Sequence, residues 1–314
     1  MEISGADARL TTSEGEPAEG GRNLAGIGLT LLSVGLFAAC NAAAKFLVLR
    51  FPVGEMLFVR SAVALLLVLP FIRGADLAAM RRTGRPSLHL LRSACSGVEV
   101  GCYYWAITLL PLADASTIYL AGPIYVTALS VLFLHERVGW RRWAAVLVGF
   151  AGVIVAVHPQ GAPVSAQALV ALFGSFLYAV SQVVTRRLRG TPTRLLVATQ
   201  MAALLLLSAV TALWGWTMPG QFEGGMMVLV GVLAMLAYLC ANRALQLAPA
   251  SLVAPFQYTS IIGATLTGFF VFAEIPGTAT IAGAAIIVGA GCFILARERE
   301  RPPAISRSGF PFGP

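Results

Sequence analysis

The chain carries one stretch twice. The segment from Tyr103 to Val157 recurs at an offset of 138 residues (249 − 111 = 138), which lays Pro111 on Pro249, Glu136 on Glu274 and Gly139 on Gly277 with no gap. In both copies a long apolar run starts just after the proline and stops just before the glutamate, so the repeated unit is a helix with the same start and stop signals. An internal duplication of this size limits the fold to architectures made from two copies of one unit.

What the unit is made of decides where it folds. Apolar residues make up 58% of the chain and charged residues 11%, and the mean hydropathy is +0.81, far from soluble averages. The apolar residues gather into ten runs, roughly 24–48, 53–72, 88–109, 112–134, 140–157, 164–185, 192–214, 225–247, 250–272 and 279–296. About 20 apolar residues cross a bilayer as a helix, whose backbone satisfies its own hydrogen bonds in lipid. Strands would alternate in polarity, and these runs do not. The expectation is an all-α membrane protein with ten transmembrane helices, whose tight hairpins end at Pro52, Pro111, Pro192 and Pro249.

The charges give the orientation. The formal charge of +8 does not point to nucleic acid, because most arginines sit in short loops between apolar runs, where they act as topology signals. With the N-terminus in the cytoplasm, the inner loops hold Arg73, Arg81, Arg82 and Arg85, then Arg137, Arg141 and Arg142, then Arg186, Arg187, Arg189 and Arg194, while the outer loops hold Arg50 alone. Both termini are then cytoplasmic, in a bacterial-type inner membrane. Five helices per copy is an odd number, so the second copy must lie inverted relative to the first. The loop HERVGWRR after Leu134 faces in, whereas its counterpart AEIPGTAT after Phe272 faces out and has no arginine. Such a charge swap is what inverted repeats of secondary transporters require. The domain reading is a disordered cytoplasmic tail over 1–22, a first repeat over 23–159, a second over 162–297 and a second tail over 298–314. Residues 1–22 lack the basic and apolar regions of a cleavable signal. Cys40, Cys95, Cys102, Cys240 and Cys292 all lie in apolar runs without CxxC spacing, which reads as free thiols with neither disulfide nor metal.

Particular motifs add a family. The stretch DASTIYLAGP from Asp114 to Pro123, SVLFLHERVGWRRW with Glu136, GFAGV from Gly149, APASLVAPFQY and the run Glu274-Ile275-Pro276 resemble the EamA family of the drug/metabolite transporter superfamily, over about residues 24 to 297. The resemblance implies ten helices as two inverted five-helix repeats and alternating access. It also implies a central cavity lined by helices 1, 3, 4, 6, 8 and 9, with helices 5 and 10 at the periphery. Asn41 and Lys45 stand where many members carry a Trp-rich first-helix motif.

An ionisable group inside the hydrocarbon costs on the order of 3 kcal/mol or more, so each needs a watery cavity or a partner. Glu99 lies near the middle of the third run, too deep to reach an interface. It reads as a coupling-proton site or the partner of a substrate amine, against a structural pair with a basic residue. Lys45 is the candidate for a substrate carboxylate or phosphate, against pairing with Glu55 or reaching the interface. Arg60, on a helix not expected to line the cavity, is the weaker candidate for the same role, against the same structural alternatives. Arg92 and Arg243 lie near cytoplasmic ends as anchors, although Asn242 and Gln246 beside Arg243 also suit a polar gate. Asn41, Tyr103, Tyr104, Tyr119, Tyr178, Ser181, Gln182, Gln257 and Tyr258 suit either helix packing or a cavity of phenols and amides for a molecule with an apolar body and polar ends. Ser93, Gly97 and Gly101 form a small-residue packing stripe. Glu136 and Glu274 sit at hairpin edges and Asp114 at a helix start, which are structural positions.

The functional expectation is a gradient-driven transporter of small organic metabolites, amino acids or related amphiphilic or zwitterionic compounds among them. The partners are a small-molecule substrate, the lipid bilayer and a coupling proton, with no cofactor and no nucleic acid; a homodimer is compatible with the chain. The competing class is a membrane-embedded enzyme or receptor. An enzyme would need a nucleophile or metal cluster, and the sequence has no HExxH, GxSxG or P-loop, while His89, His135 and His158 sit at separate loop edges.

Overall fold

A computed structural model describes residues 19–82, 85–134, 140–157, 165–188, 190–213, 215–248, 253 and 256–299. The hairpin carboxylate Glu136, the repeat markers Gly139 and Pro249, the loop residues His135, Arg137, His158 and Arg189, and most of both tails lie outside the described residues. Every regular element described is helical: α1 (Glu19–Val48), α2 (Val53–Val68), α3 (Gly74–Arg82), α4 (Pro86–Ala106), α5 (Leu112–Tyr119), α6 (Gly122–Leu134), α7 (Trp140–Val157), α8 (Ala166–Arg187), α9 (Thr193–Ala212), α10 (Gln221–Leu247), α11 (Ser260–Phe272) and α12 (Thr278–Arg299), with a 3-10 turn at Leu69–Phe71.

Three departures from the apolar runs have physical causes. First, α1 begins at Glu19, inside the stretch read as tail. Second, the polar loop after the second run forms α3, which the apolar pattern passed over. Its first turn is held by Asp76, which accepts from the Arg73 N–H at 2.8 Å, a carboxylate at the positive end of a helix. Third, the run 112–134 is two helices, broken at Leu120–Ala121, where Pro123 lacks the N–H that would reach back to Tyr119. The run 250–272 is likewise interrupted, at Tyr258–Thr259, just 138 residues further on. The two breaks meet, since Leu120, Ala121 and Tyr258 share one buried cluster with Ile124 and Ile287.

Among the described residues six helices are long and apolar enough to cross a membrane, spanning Gly21–Val48, Val53–Phe71, Leu112–Phe133, Ala166–Arg187, Thr193–Ala212 and Gln221–Leu247. Shorter apolar helices cover Ser260–Phe272 and Thr278–Ala290. Large apolar side chains such as Leu66, Leu90, Leu206, Leu213 and Phe270 face outward. The polar residues instead turn inward, the reverse of a soluble protein.

Hydrogen bonds between helices give their directions. Ser33 Oγ donates to Ala237 O at 3.0 Å and Cys40 Sγ to Val230 O at 3.6 Å, so α1 and α10 run antiparallel. Tyr104 donates to Asn41 at 2.9 Å and Lys45 to Leu110 O at 3.3 Å, so α1 and α4 run parallel. One end of the bundle, called proximal below, therefore holds the starts of α1 and α4 and the end of α10; the other, distal, end holds Lys45 and Leu110. Further packed pairs are α4 with α8 and α9, α2 with α9 and α10, α1 with α11, and α6 with α8, while α7 and α12 pack chiefly on each other. Small residues set the closest approaches: a Cβ on Gly231 of α10 would stand 2.9 Å from the Arg60 carbonyl of α2. Of the expected small-residue stripe, Gly97 abuts Leu207 of α9, whereas Gly101 has open space beside it. The five cysteines are free.

Candidate functional site

The polar faces converge on a cavity of about 210 Å³. From α1 it takes Thr30, Ser33, Phe37 and Asn41, and from α4 Arg92, Ser96, Glu99 and Tyr103, each set at spacings of three or four residues that place it on one helix face. Tyr178, Ser181, Gln182 and Thr185 line it from the second half of α8, and Tyr238, Asn242 and Leu245 from the second half of α10. Ser116 and Tyr119 of α5, Gln257, and Ser260 and Ala264 of α11 complete the wall. These positions run from mid-bundle towards the proximal end.

The wall is a network of phenols and amides. Tyr104 donates to Asn41 Oδ1 at 2.9 Å, and Tyr119 donates to the Glu99 carbonyl at 3.0 Å. Gln182 donates to the Tyr178 hydroxyl at 2.7 Å, which in turn donates to Gln257 at 3.2 Å. Asn242 ties down to the Tyr238 carbonyl at 2.9 Å, and Tyr103 lies 3.4 Å from Ser116. These bonds fix side chains that would otherwise be unsatisfied in an apolar interior.

Three charges face the same space. Arg92, nearly fully buried, has an acceptor at each guanidinium nitrogen: it donates to Thr185 at 2.7 Å, to the Leu196 carbonyl at 2.9 Å and to Gln200 at 3.2 Å. It joins α4 to α8 and α9 instead of anchoring at an interface. Arg60 of α2 also reaches the cavity and is 1% exposed. Its guanidinium carbon lies 5.0 Å from the Tyr104 ring centre and 6.0 Å from that of Tyr238, whose side chain is also its hydrogen-bond partner, while its Nε and Nη1 have no hydrogen-bond partner among the described residues. Glu99, 8% exposed, has Arg60 as the cation acting on it, yet no ion pair joins them among the described residues.

Lys45, Arg243 and Tyr258 stand elsewhere. Lys45 is buried at the distal end in an ion pair with Glu274, not with Glu55. Glu274 also accepts from the Leu112 N–H at 2.9 Å, and nearby Thr280 donates to Asp114 at 2.7 Å. Together these contacts tie α1, the α4–α5 turn and the α11–α12 turn across that end. Arg243 is exposed and donates to Gln246 at 3.3 Å, and Gln246 bridges to Thr191 and to Thr193 at the start of α9. Tyr258 is buried at the break before α11.

The sequence profile of the EamA-like transporter family matches the chain twice, over residues 24–157 and 166–296. The chain belongs to the EamA-like transporter family. With its membrane-length apolar helices, this member of the family is a multi-pass integral membrane protein. It is similar to an S-adenosylmethionine uptake transporter of Rickettsia felis, 26% identical over 88% of this chain and 94% of the relative. A pseudopaline exporter of Pseudomonas aeruginosa is 31% identical over 88% of this chain and 97% of its own length. A riboflavin transporter of Vibrio cholerae is 29% identical over 87% and 94%. A solved crystal structure, 20% identical, shares the fold with a TM-score of 0.59 over 90% of this chain and 99% of that one.

For this family member, Asn41, Glu99, Tyr103, Tyr119, Tyr178, Gln182, Asn242 and Gln257 are brought together around the cavity, and Arg60, Gln200 and Tyr238 join them from positions the sequence did not single out as cavity walls. Tyr238 carried a readable signal, because it precedes Asn242 by four residues and so shares its helix face. Arg60 and Gln200 did not, since both lie on helices that the sequence reading did not expect to line the cavity.

Proposed function

We propose that the chain is a gradient-driven transporter of small organic metabolites, built from two inverted five-helix repeats that alternate access to the cavity. Both termini lie in the cytoplasm of a bacterial-type inner membrane, and the conformation described is open towards the cytoplasm. The repeat reading is supported by packing that keeps its form when the halves are exchanged. α1 against α10 and α11 becomes α8 against α4 and α6, and α2 against α10 becomes α9 against α4. The breaks at Leu120–Ala121 and Tyr258–Thr259 exchange in the same way. The orientation is supported by Arg73, Arg85, Arg186, Arg187 and Arg194, which flank helix ends on the proximal side, the side towards which the cavity extends.

The observation that carries the reading is Glu99: a carboxylate on the cavity wall with no ion-pair partner among the described residues, deep in a bundle whose outside is apolar. As the repeats exchange conformation, its access to water passes from one side to the other. It can then take up a proton on one side and release it on the other, coupling cargo to the proton gradient. The Lys45–Glu274 pair closes the distal end meanwhile. The test is reconstitution into liposomes with an imposed pH gradient and a labelled metabolite mixture. Accumulation that a protonophore abolishes is expected; accumulation indifferent to the gradient would remove the coupling role, and none at all would remove the transport reading.

A further inference from the structure

We propose that Arg60 is the anchor for a substrate carboxylate, opposite Glu99 as the acceptor for a substrate cation, so that the cavity takes zwitterionic small molecules. This rests on the transport reading. The cavity holds three buried charges, and of the two cations only Arg92 has an acceptor at every guanidinium nitrogen. Arg92 uses its guanidinium on Thr185, Leu196 and Gln200. Arg60 keeps two N–H-bearing nitrogens without an acceptor among the described residues while lining the same space. A buried charge and its unsatisfied donors are costly, and the Tyr104 and Tyr238 rings, with a hydrogen bond to the Tyr238 side chain, offset only part of that cost, because Nε and Nη1 still lack an acceptor among the described residues. A planar guanidinium with donors to spare matches a carboxylate with two parallel hydrogen bonds.

The rest of the wall fits the same ligand. Had Arg60 and Glu99 paired with each other, neither would be available to charged cargo; no ion pair joins them among the described residues, and they stand as one positive and one negative pole in a single cavity. The rings of Phe37, Tyr103 and Tyr119 line the same cavity and receive an apolar body. Lys45, the other buried cation near the cavity, is already neutralised by Glu274 and lies off the wall. A molecule with opposite charges on a compact apolar frame satisfies both poles at once. An anion leaves Glu99 unpaired, and a cation leaves Arg60 unpaired.

The experiment incubates purified protein with a bacterial metabolite extract, separates bound from free by rapid gel filtration and identifies the bound molecules by mass spectrometry. Wild type should retain compounds carrying both a carboxylate and a cationic centre. Arg60→Met should lose them by at least about tenfold. Arg60→Lys keeps the charge without the planar fork, so it remains informative if Arg60→Met folds poorly, and should lose roughly tenfold. A wild-type bound fraction that is empty or lacks carboxylates, or retention by both variants at the wild-type level, overturns the assignment. Liposomes bearing the same proteins distinguish the two readings. Entry restricted to compounds without a carboxylate sinks the Arg60 anchor and leaves transport standing, whereas Arg60-dependent binding with no entry sinks transport and leaves the anchor.

Discussion

Lys45 and Arg60 are cations buried to nearly the same degree, 3% and 1% exposed, on neighbouring helices, yet they sit in regions of opposite character. At the distal end Lys45 meets Glu274 and the Leu110 carbonyl, and Glu274 also takes the Leu112 N–H. In the cavity Arg60 faces two aromatic rings and Glu99 has no ion-pair partner among the described residues. Burial alone therefore says little about role. Satisfaction does: charges whose hydrogen bonds are filled hold helices together, and charges left unfilled next to open space are available to cargo.

The contrast presupposes that the two ends face opposite compartments, and this is where it can fail outright. Cysteines introduced at Gln160 and Gly277 should react with an impermeant thiol reagent from outside intact cells, while those at Gly84 and Gly190 should react only after permeabilisation. Equal labelling of all four from one side would remove the inverted arrangement and with it the difference between the ends.

Next in size is the cavity pole. Glu99→Gln mimics the protonated carboxyl with little change of volume, so gradient-driven accumulation should fall by roughly tenfold or more while surface expression holds. If Glu99 instead held Arg60 as a structural pair, the same variant would strand a buried cation at about 3–5 kcal/mol and deplete the folded protein. Expression and pH-dependent uptake measured in the same cells separate the two.

Much of this contrast was legible beforehand, and the rest was hidden for definite reasons. Apolar runs bounded by Pro52, Pro111 and Pro192 gave most helix positions, because lipid leaves the backbone no alternative to helical hydrogen bonding. Glu99, Asn41 and Tyr178 stood out as polar residues within such runs. The sequence left two choices open that only three dimensions resolve. Lys45 had Glu55 ten residues on (55 − 45 = 10), but its partner Glu274 is 229 residues away. Arg60 lies on a helix not expected to line the cavity, and nothing local shows that its side chain reaches inward to Tyr104 and Tyr238. The break at Leu120–Ala121 was foreshadowed by Pro123, read then as part of a family motif and not as an interruption.

The distal lock should respond in the opposite sense to the cavity. Glu274→Gln leaves Lys45 buried without a counter-charge and should lower stability by about 2 kcal/mol, seen as reduced folded yield and a lower Tm. Adding Lys45→Met to Glu274→Gln should recover part of the loss, since the stranded charge is gone. Glu136→Gln, at the equivalent position of the first repeat, should behave like Glu274→Gln. Apparent substrate affinity should change less than stability in all three; normal folding with abolished transport would place Glu274 among the cargo contacts and erase the distinction between the two regions.

The smallest effect is expected outside the membrane, at a charged pair that is satisfied but partly in water. Arg194 grips the Asp76 carboxylate with Nε at 2.6 Å and Nη2 at 2.7 Å, tying α3 to the start of α9. The Arg194 hydrogen bonds, with the Arg73 N–H, hold the Asp76 carboxyl down to about 2, below the usual value of about 3.9. A carboxyl depressed in the folded state contributes stability that is fully present above its unfolded value and disappears as pH falls towards the folded one. The Asp76→Asn variant should therefore be slightly less stable than wild type at neutral pH, and the difference should shrink between about pH 4 and pH 2. Because the Arg194 side chain is 36% exposed, salt should shrink it as well. Melting temperatures of the two proteins across that range check both trends, with gradient-driven uptake at neutral pH essentially unchanged. A difference that grows as pH falls, or a large loss of transport, would mean that α3 takes part in opening the proximal end, so that a satisfied pair can also lie on the transport path.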